Sequence, residues 1–312
     1  MPRLSHTAGK PVRTARTVRA AESVGAAIER CACELRAASV CFGHGTANAR
    51  DEAAELVFFV AGLAHALGAS AYSRTLRPRQ AARIDELLHR RIAERIPLAY
   101  LTRRAFFAKM ELYVDERVLV PRSPIAELVV NRFEPWIRSR RVRRILDLGT
   151  GSGAIALACA QAFPRARVDA ADISAAALQV CRRNVRRLGL GTRVTPLRSD
   201  YFSALAGRYD IIVSNPPYVG RAEMRTLPPE YRHEPRLGLA SGVDGLDAVR
   251  AIFAEARSFL EDDGILVVEV GNTEAALLDA FPRMPFVWPR IAMGGEGVFV
   301  LNAHDLDAAG EH

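Results

Sequence analysis

The sequence predicts an α/β protein whose second half is a mostly parallel sheet wrapped by helices and whose first half is a smaller helical unit. Three observations carry this expectation. A short apolar strand from Arg144 to Leu148 runs into the turn Gly149-Thr150-Gly151-Ser152-Gly153 and then a helical stretch, Ile155 to Phe163, the opening of a Rossmann-like unit. Strand-like and helix-like stretches then alternate as far as Val270, as a parallel sheet with crossover helices requires. Before Pro97, by contrast, apolar residues recur at steps of three and four, the period of a buried helical face.

Taken in order, residues 1–20 carry Arg3, Lys10, Arg13, Arg16 and Arg19 without an acidic residue or an apolar segment, which reads as a basic solvated arm and not a secretory signal. A helical domain is expected over 21–105. Its first helix is marked by Val24, Ile28, Cys31, Leu35 and Ala38, its second runs from Ala49 to Leu67 and stops at Gly68, and its third starts near Pro78 and ends before Pro97. Over 106–124 the pattern Phe107, Met110, Leu112, Val114, Val118 reads as a hairpin linker, closed by Pro121-Arg122-Ser123-Pro124. The Rossmann-like domain is expected over 125–302. It opens with a helix from Ile125 to Trp136 and continues with a strand from Arg167 to Ala171, a helix from Ser174 to Leu188, and strands Arg193 to Leu197 and Tyr209 to Ser214. A helix from Leu246 to Leu260 and a strand from Ile265 to Val270 follow. Phe286 to Ile291 and Gly297 to Leu301, joined through Gly294-Gly295-Glu296, are expected to add an antiparallel edge and bring the sheet to seven strands, leaving 303–312 as a tail.

The composition narrows the function. The 312 residues are 49% hydrophobic and 25% charged, which excludes wholesale disorder. The longest nearly unbroken apolar stretch, Leu56 to Ala64, is far short of the roughly 18 residues a membrane-spanning helix needs. Lys plus Arg exceeds Asp plus Glu by 43 to 35, and the net charge of +8 favours polyanions and anionic assemblies as neighbours. The five cysteines form no C-x-x-C pair, so neither a metal site nor a disulfide framework is expected, and the thiols suit a reducing cytoplasm.

The glycine turn leaves backbone N–H groups open to a ligand beside a helix N-terminus. Gly149-x-Gly151-x-x-Ala154 also fits a nicotinamide fingerprint, so a dehydrogenase is one reading. Asp147 favours another. A carboxylate there repels a pyrophosphate but suits a cationic, phosphate-free ligand such as S-adenosylmethionine. Asp172 ends the next strand, where it can accept from ribose hydroxyls, and Asp200 follows the third, where it can accept from an adenine amino group with Tyr201 or Phe202 against the ring. The expected cofactor set is therefore Asp147, Gly149, Thr150, Gly151, Gly153, Asp172, Asp200, Tyr201 and Asn215.

Asn215-Pro216-Pro217-Tyr218 ends the fourth strand beside that turn. Two prolines cannot donate hydrogen bonds, so the segment is a stiff edge of acceptors. The Asn215 side-chain carbonyl and the Pro216 backbone carbonyl can together take both hydrogens of a planar NH₂ group, with Tyr218 stacked on its face. Such a nitrogen is a poor nucleophile because its lone pair is delocalised. Fixing it by orientation and electrostatics is what transfer to it requires. Asn215, Pro216, Pro217 and Tyr218 are the expected catalytic residues.

The two motifs resemble those of class I, S-adenosylmethionine-dependent methyltransferases. The tetrapeptide is shared by adenine-amino methyltransferases of RNA or DNA and by protein-glutamine N-methyltransferases. Leu227-Pro-Pro-Glu-Tyr231-Arg-His-Glu234-Pro235 through Gly242-Val-Asp244-Gly245-Leu246 and Val118-Leu-Val-Pro121-Arg122-Ser123-Pro124-Ile125 resemble the branch of the glutamine family that acts on large-subunit ribosomal protein L-three. Release-factor glutamine methyltransferases share only part of them. The likeness extends over Arg91-Ile-Ala-Glu-Arg-Ile-Pro97-Leu-Ala-Tyr-Leu-Thr102, with two departures: Arg103 where these families usually have Gly or Asn, and the basic arm before Ala21, which has no counterpart there. It implies a cytoplasmic methyltransferase acting on that ribosomal protein, free or in an assembling subunit with ribosomal RNA nearby. The residues of the helical domain fit a stabilising cap or a substrate-docking module equally, and it is expected to carry target choice. His233 and Glu234 read as loop braces, Asp244 as a helix cap, and Glu269 as an ordinary strand-end carboxylate, with support of the motif loop as the alternative.

Overall fold

A computed structural model describes residues 22–64, 69–292 and 294–309. The basic arm over 1–20 lies outside them, as does Gly68.

The helical unit is built as its periodicity predicts. In α1 (Val24–Ala37) the Ser23 hydroxyl caps the first turn by accepting from Ala26 N–H, and Val24, Ala27, Ile28, Cys31, Ala32 and Leu35 are buried. That face packs on α2 (Ala49–Ala61) and α3 (Pro78–Ala93) around Leu56, Val57, Ile84 and Leu87, and α4 (Leu98–Thr102) packs against α2 and α3. Helix α2 stops well before the expected Gly68, because Gly62 takes a left-handed φ of 68° and returns its N–H to Phe58 and Phe59. The departure at Arg103 has a structural meaning: it ends α4 in the left-handed region at φ 55°, where Gly or Asn is least strained. Its guanidinium pairs with Glu116 at 2.5 Å.

The linker opens as a small hairpin of β1 (Ala105–Phe107) and β2 (Met110–Leu112), turned at Ala108 and Lys109 with both φ values positive. Helix α5 (Ile125–Val130) is half its expected length. Arg132 and Phe133 leave the helical region at φ 56° and 54°, which carries the Phe133 ring into the core, stacked on Phe163 at 6.2 Å.

The large domain holds a sheet in the order β5 (Val194–Arg198), β4 (Arg167–Asp172), β3 (Arg144–Leu148), β6 (Tyr209–Ser214), β7 (Leu260–Glu269) and β8 (Val298–Asn302). All neighbours are parallel except β7 and β8. Helices α6 (Ala154–Ala162) and α7 (Ala175–Arg187) connect the first three strands, while α8 (Asp247–Phe259) and α9 (Glu274–Ala280) follow β6 and β7. Strand alternation splits the core. Ile145, Ile211, Val213, Ile265 and Val267 face α5 and α6, whereas Leu146, Leu148, Ile212, Leu266 and Val268 face α8.

Among the described residues the sheet has six strands, not the expected seven. Val287 and Val300 form one antiparallel bridge with both hydrogen bonds, at 3.2 and 2.8 Å. The next bonded positions along this segment, two residues away on either side, are Pro285 and Pro289, which have no N–H to donate, so the ladder cannot grow. Nor does the chain leave the domain after β8. Ala303–Ala309 form a 3₁₀ helix that buries Leu306 in the α8-side core and pairs Asp307 with Arg257 at 2.8 Å.

Strand order reverses between β3 and β6. The carboxyl ends of these two neighbours therefore open a crevice, the place where such sheets bind ligands.

Candidate active site

The crevice is a cavity of about 310 Å³, the size of a small-molecule site. Its floor is the turn after β3, where Gly149, Gly151 and Gly153 have φ of 69°, 53° and 85°. Gly153 is required twice over, since a Cβ there would stand 2.8 Å from Cys181 Sγ on α7. The turn is held from below. Asp147 Oδ2 accepts from the Thr150 hydroxyl at 2.6 Å and from Ala156 N–H, in the first turn of α6, at 3.0 Å. Alternation along β3 turns Asp147 to the α6 face beside Ile145, so it does not line the cavity. Burial pushes its carboxyl up to about 7. The expected counter-charge is in fact a brace for the turn.

Asp172, at the end of β4, does line the cavity. Its two oxygens accept from Gly151 N–H and Ser174 N–H, each at 2.8 Å. Each oxygen keeps a second lone pair, as a ribose diol would need. Burial pushes this carboxyl up as well. Asp200 and Tyr201 line the same wall after β5, with Tyr201 in the left-handed region at φ 42°.

Opposite them, Asn215, Pro217 and Tyr218 follow β6 into the cavity. The Asn215 side-chain amide has no hydrogen-bond partner among the described residues. Tyr218 is held on two sides. Its hydroxyl donates to Glu269 Oε1 at 3.2 Å, and its ring lies against Gly271, where a Cβ would stand 2.5 Å from Cε2. Glu269 Oε2 accepts from the Ser123 hydroxyl, joining the end of β7 to the linker.

Glu269 is buried, which pushes its carboxyl from 4.5 up to about 7. The folded chain therefore binds the proton more tightly than the unfolded one, so this group's stabilising effect is full below pH 4.5 and fades as pH rises towards 7. Glu269→Gln is expected to flatten the fall of denaturant midpoint with pH over that window, and an unchanged slope would show that Glu269 is not the titrating group.

A second brace ties the site to the helical unit. Both oxygens of Glu234 receive Arg122, at 2.5 and 2.6 Å, and Oε1 also accepts from Val120 N–H at 3.0 Å. These bonds outweigh burial and hold Glu234 down at about 2. Four residues earlier, Glu230 Oε1 meets the buried Arg91 of α3 at 3.2 Å and accepts from Cys41 N–H at 2.9 Å. His233 reaches the Glu94 carbonyl at 2.9 Å, and Asp244 accepts from Leu246 N–H at 3.1 Å just ahead of α8.

Of the residues expected from the sequence, Gly149, Thr150, Gly151, Asp172, Asp200, Tyr201, Asn215, Pro217 and Tyr218 share the one cavity. Asp147 and Gly153 support it from behind and do not line it, and Pro216 is buried between the two lining residues Asn215 and Pro217. Sequence reasoning missed the walls formed by Val118 to Ser123 and by Pro235 with Leu237 to Leu239. Both segments stood out in the sequence, but only as a domain junction and a likeness. Among the described residues no group of His, Cys, Asp and Glu could hold a metal ion.

Residues 126–227 match the methyltransferase small domain. Two curated relatives, from Francisella tularensis and Bordetella pertussis, carry the name ribosomal protein uL3 glutamine methyltransferase. The first is 42% identical over 88% of this chain and 88% of its own length. The second is 45% identical over 88% of this chain and 92% of its own. Among solved structures, the catalytic domain of hMettl16 in complex with a 3′UTR hairpin superposes with a TM-score of 0.50 at 14% identity, covering 73% of this chain and 83% of that one. At that identity the likeness concerns the fold.

Proposed function

The chain belongs to the ribosomal protein uL3 glutamine methyltransferase family, and from that premise we propose that it transfers a methyl group from S-adenosylmethionine to the side-chain amide nitrogen of a glutamine in ribosomal protein uL3. The observation that carries this reading is the unpartnered Asn215 amide facing, across one cavity, the Asp172 carboxylate and the glycine turn. The residues fit the cofactor: Asp172 has lone pairs for the ribose, and Asp200 and Tyr201 suit the adenine. When bound, S-adenosylmethionine would supply an electrophilic methyl group.

The protein's part is orientation. The Asn215 side-chain carbonyl accepts one hydrogen of the target amide and the Pro216 carbonyl the other, while the Tyr218 ring, fixed by Glu269 and Gly271, lies on the amide face. Holding both hydrogens turns the nitrogen lone pair towards the methyl donor. The amide proton becomes acidic as the new C–N bond forms and leaves to water, so no separate base is needed. The helical unit, latched to the loop after β6 through Glu230, carries target choice. The reaction takes place in the cytoplasm, on uL3 free or in an assembling subunit.

Losing the charged hydrogen bonds of Asp172, each about 1.5–3 kcal/mol, is expected to weaken S-adenosylmethionine binding roughly ten- to a hundred-fold in Asp172→Ala. Calorimetry on the folded variant checks this, and unchanged affinity would remove Asp172 from the cofactor site. The function itself is tested by incubating the chain with labelled S-adenosylmethionine and separate pools of unmethylated uL3, release factor and RNA. Label in uL3 is the expected outcome; label in RNA alone, or in release factor alone, contradicts it.

A further inference from the structure

The amino ends of β3 and β4, Arg144 and Arg167, lie at the end of the sheet opposite the cavity, roughly 16 Å away at strand rise. There Arg132, Arg140, Arg143 and Arg165 surround a second hollow of about 360 Å³ that no Asp or Glu lines. The carboxyl end of α6 lies beside it, and cations are stabilised at such an end, but that need is met by Arg193, which donates to the Ala160 carbonyl. Arg143 is also occupied, donating to the Arg140 and Val142 carbonyls at 2.9 and 3.0 Å. Arg132, Arg140 and Arg165 have no hydrogen-bond or ion-pair partner through their guanidinium groups among the described residues. Several unpaired guanidinium forks around one hollow repel each other until an anion with several oxygens sits between them, and phosphate matches that fork two bonds at a time.

The positive charge also continues beyond the hollow. Arg138-Ser-Arg140-Arg141-Val-Arg143-Arg144 places five arginines in one short stretch along the same edge, with Arg167 beyond. Of these Arg141 has only the exposed Asp263 at 3.9 Å, whereas Arg144 is taken up by Asp169 at 3.1 Å, the Ala206 carbonyl at 3.2 Å and the Tyr209 ring. A row of this kind suits a chain of phosphates better than one ion.

We propose that this arginine-lined hollow binds the phosphate backbone of RNA, so that the chain grips RNA with one end of its sheet while the other end carries the methyl-transfer site. The proposal rests on the reading above only in choosing RNA among polyanions, since a ribosomal protein is met beside ribosomal RNA.

The test uses the full chain and a fluorescent single-stranded RNA, with affinity measured against salt. The unaltered chain is expected to bind, with log K falling as log salt rises. Arg132→Ala/Arg140→Ala/Arg165→Ala should lose at least tenfold in affinity, and its salt slope should shrink by about two, at roughly 0.7 per phosphate contact. A control, Arg182→Ala/Arg186→Ala/Arg290→Ala, removes the same charge from exposed sites elsewhere and should change affinity less than twofold. Failure of the unaltered chain to bind RNA overturns the proposal. Equal losses in both variants, or binding to anionic vesicles but not RNA, also overturn it. Methylation of RNA-free uL3 should be the same in all three proteins, so failure of the catalytic reading shows separately, as no methylation by any of them.

Discussion

Asn215→Ala is expected to slow single-turnover methylation of uL3 roughly a hundred- to a thousand-fold, because it removes one of two acceptors that orient the target amide, a loss of about 2.7–4 kcal/mol at the transition state. Its melting temperature should stay near that of the unaltered chain, since the Asn215 amide braces nothing among the described residues. Asn215→Asp is the sharper variant. It keeps an acceptor of similar shape and should retain more activity than Ala if accepting a hydrogen is the role. Activity and melting temperature falling together would instead mean that Asn215 only stiffens the turn after β6.

The second large effect concerns the latch between the two units. Arg91 is 1% exposed and sits between Glu52 at 2.6 Å and Glu230 at 3.2 Å, with its remaining nitrogen on the Cys41 carbonyl at 2.7 Å. Arg91→Ala leaves two buried carboxylates facing each other, and breaking such a cluster costs about 3–5 kcal/mol. The melting temperature should fall by on the order of 10 °C. Replacing the whole cluster tests the cause, because a buried ion cluster exchanged for neutral groups is often close to neutral in stability. Arg91→Met/Glu52→Gln/Glu230→Gln should therefore melt well above Arg91→Ala. If the triple variant is no more stable than Arg91→Ala, the loss reflects packing of the long side chain and not its charge.

What could be read ahead of the structure follows the range of the interactions involved. The sheet strands and the glycine turn were legible because a strand buried on both faces and a turn of left-handed residues write themselves into consecutive letters, as in Tyr209 to Ser214 and Gly149 to Gly153. The early stop of α2 was visible at Gly62 but was outweighed by the apolar run through Leu67. Pro285 and Pro289 were equally visible, and only pairing in register shows that both fall where the ladder needs a donor. Asp147 was misplaced for a different reason. Charge arguments say which ligand a carboxylate would suit, but strand alternation decides which face it reaches. Glu234 and Glu269 could be read as braces, but the partners of such groups were illegible because they are remote: Arg91 meets Glu230 139 residues later, and Ser123 meets Glu269 after 146. No local pattern records such a meeting.

The most direct measurement is tandem mass spectrometry of uL3 after one turnover with the purified chain, reading which atom carries the methyl group. The account predicts a single added methyl on a glutamine side-chain amide, absent with Asn215→Ala over the same interval. A methyl group on lysine, arginine or a backbone terminus would contradict it, because the two acceptors proposed, the Asn215 side chain and the Pro216 carbonyl, suit both hydrogens of a planar amide.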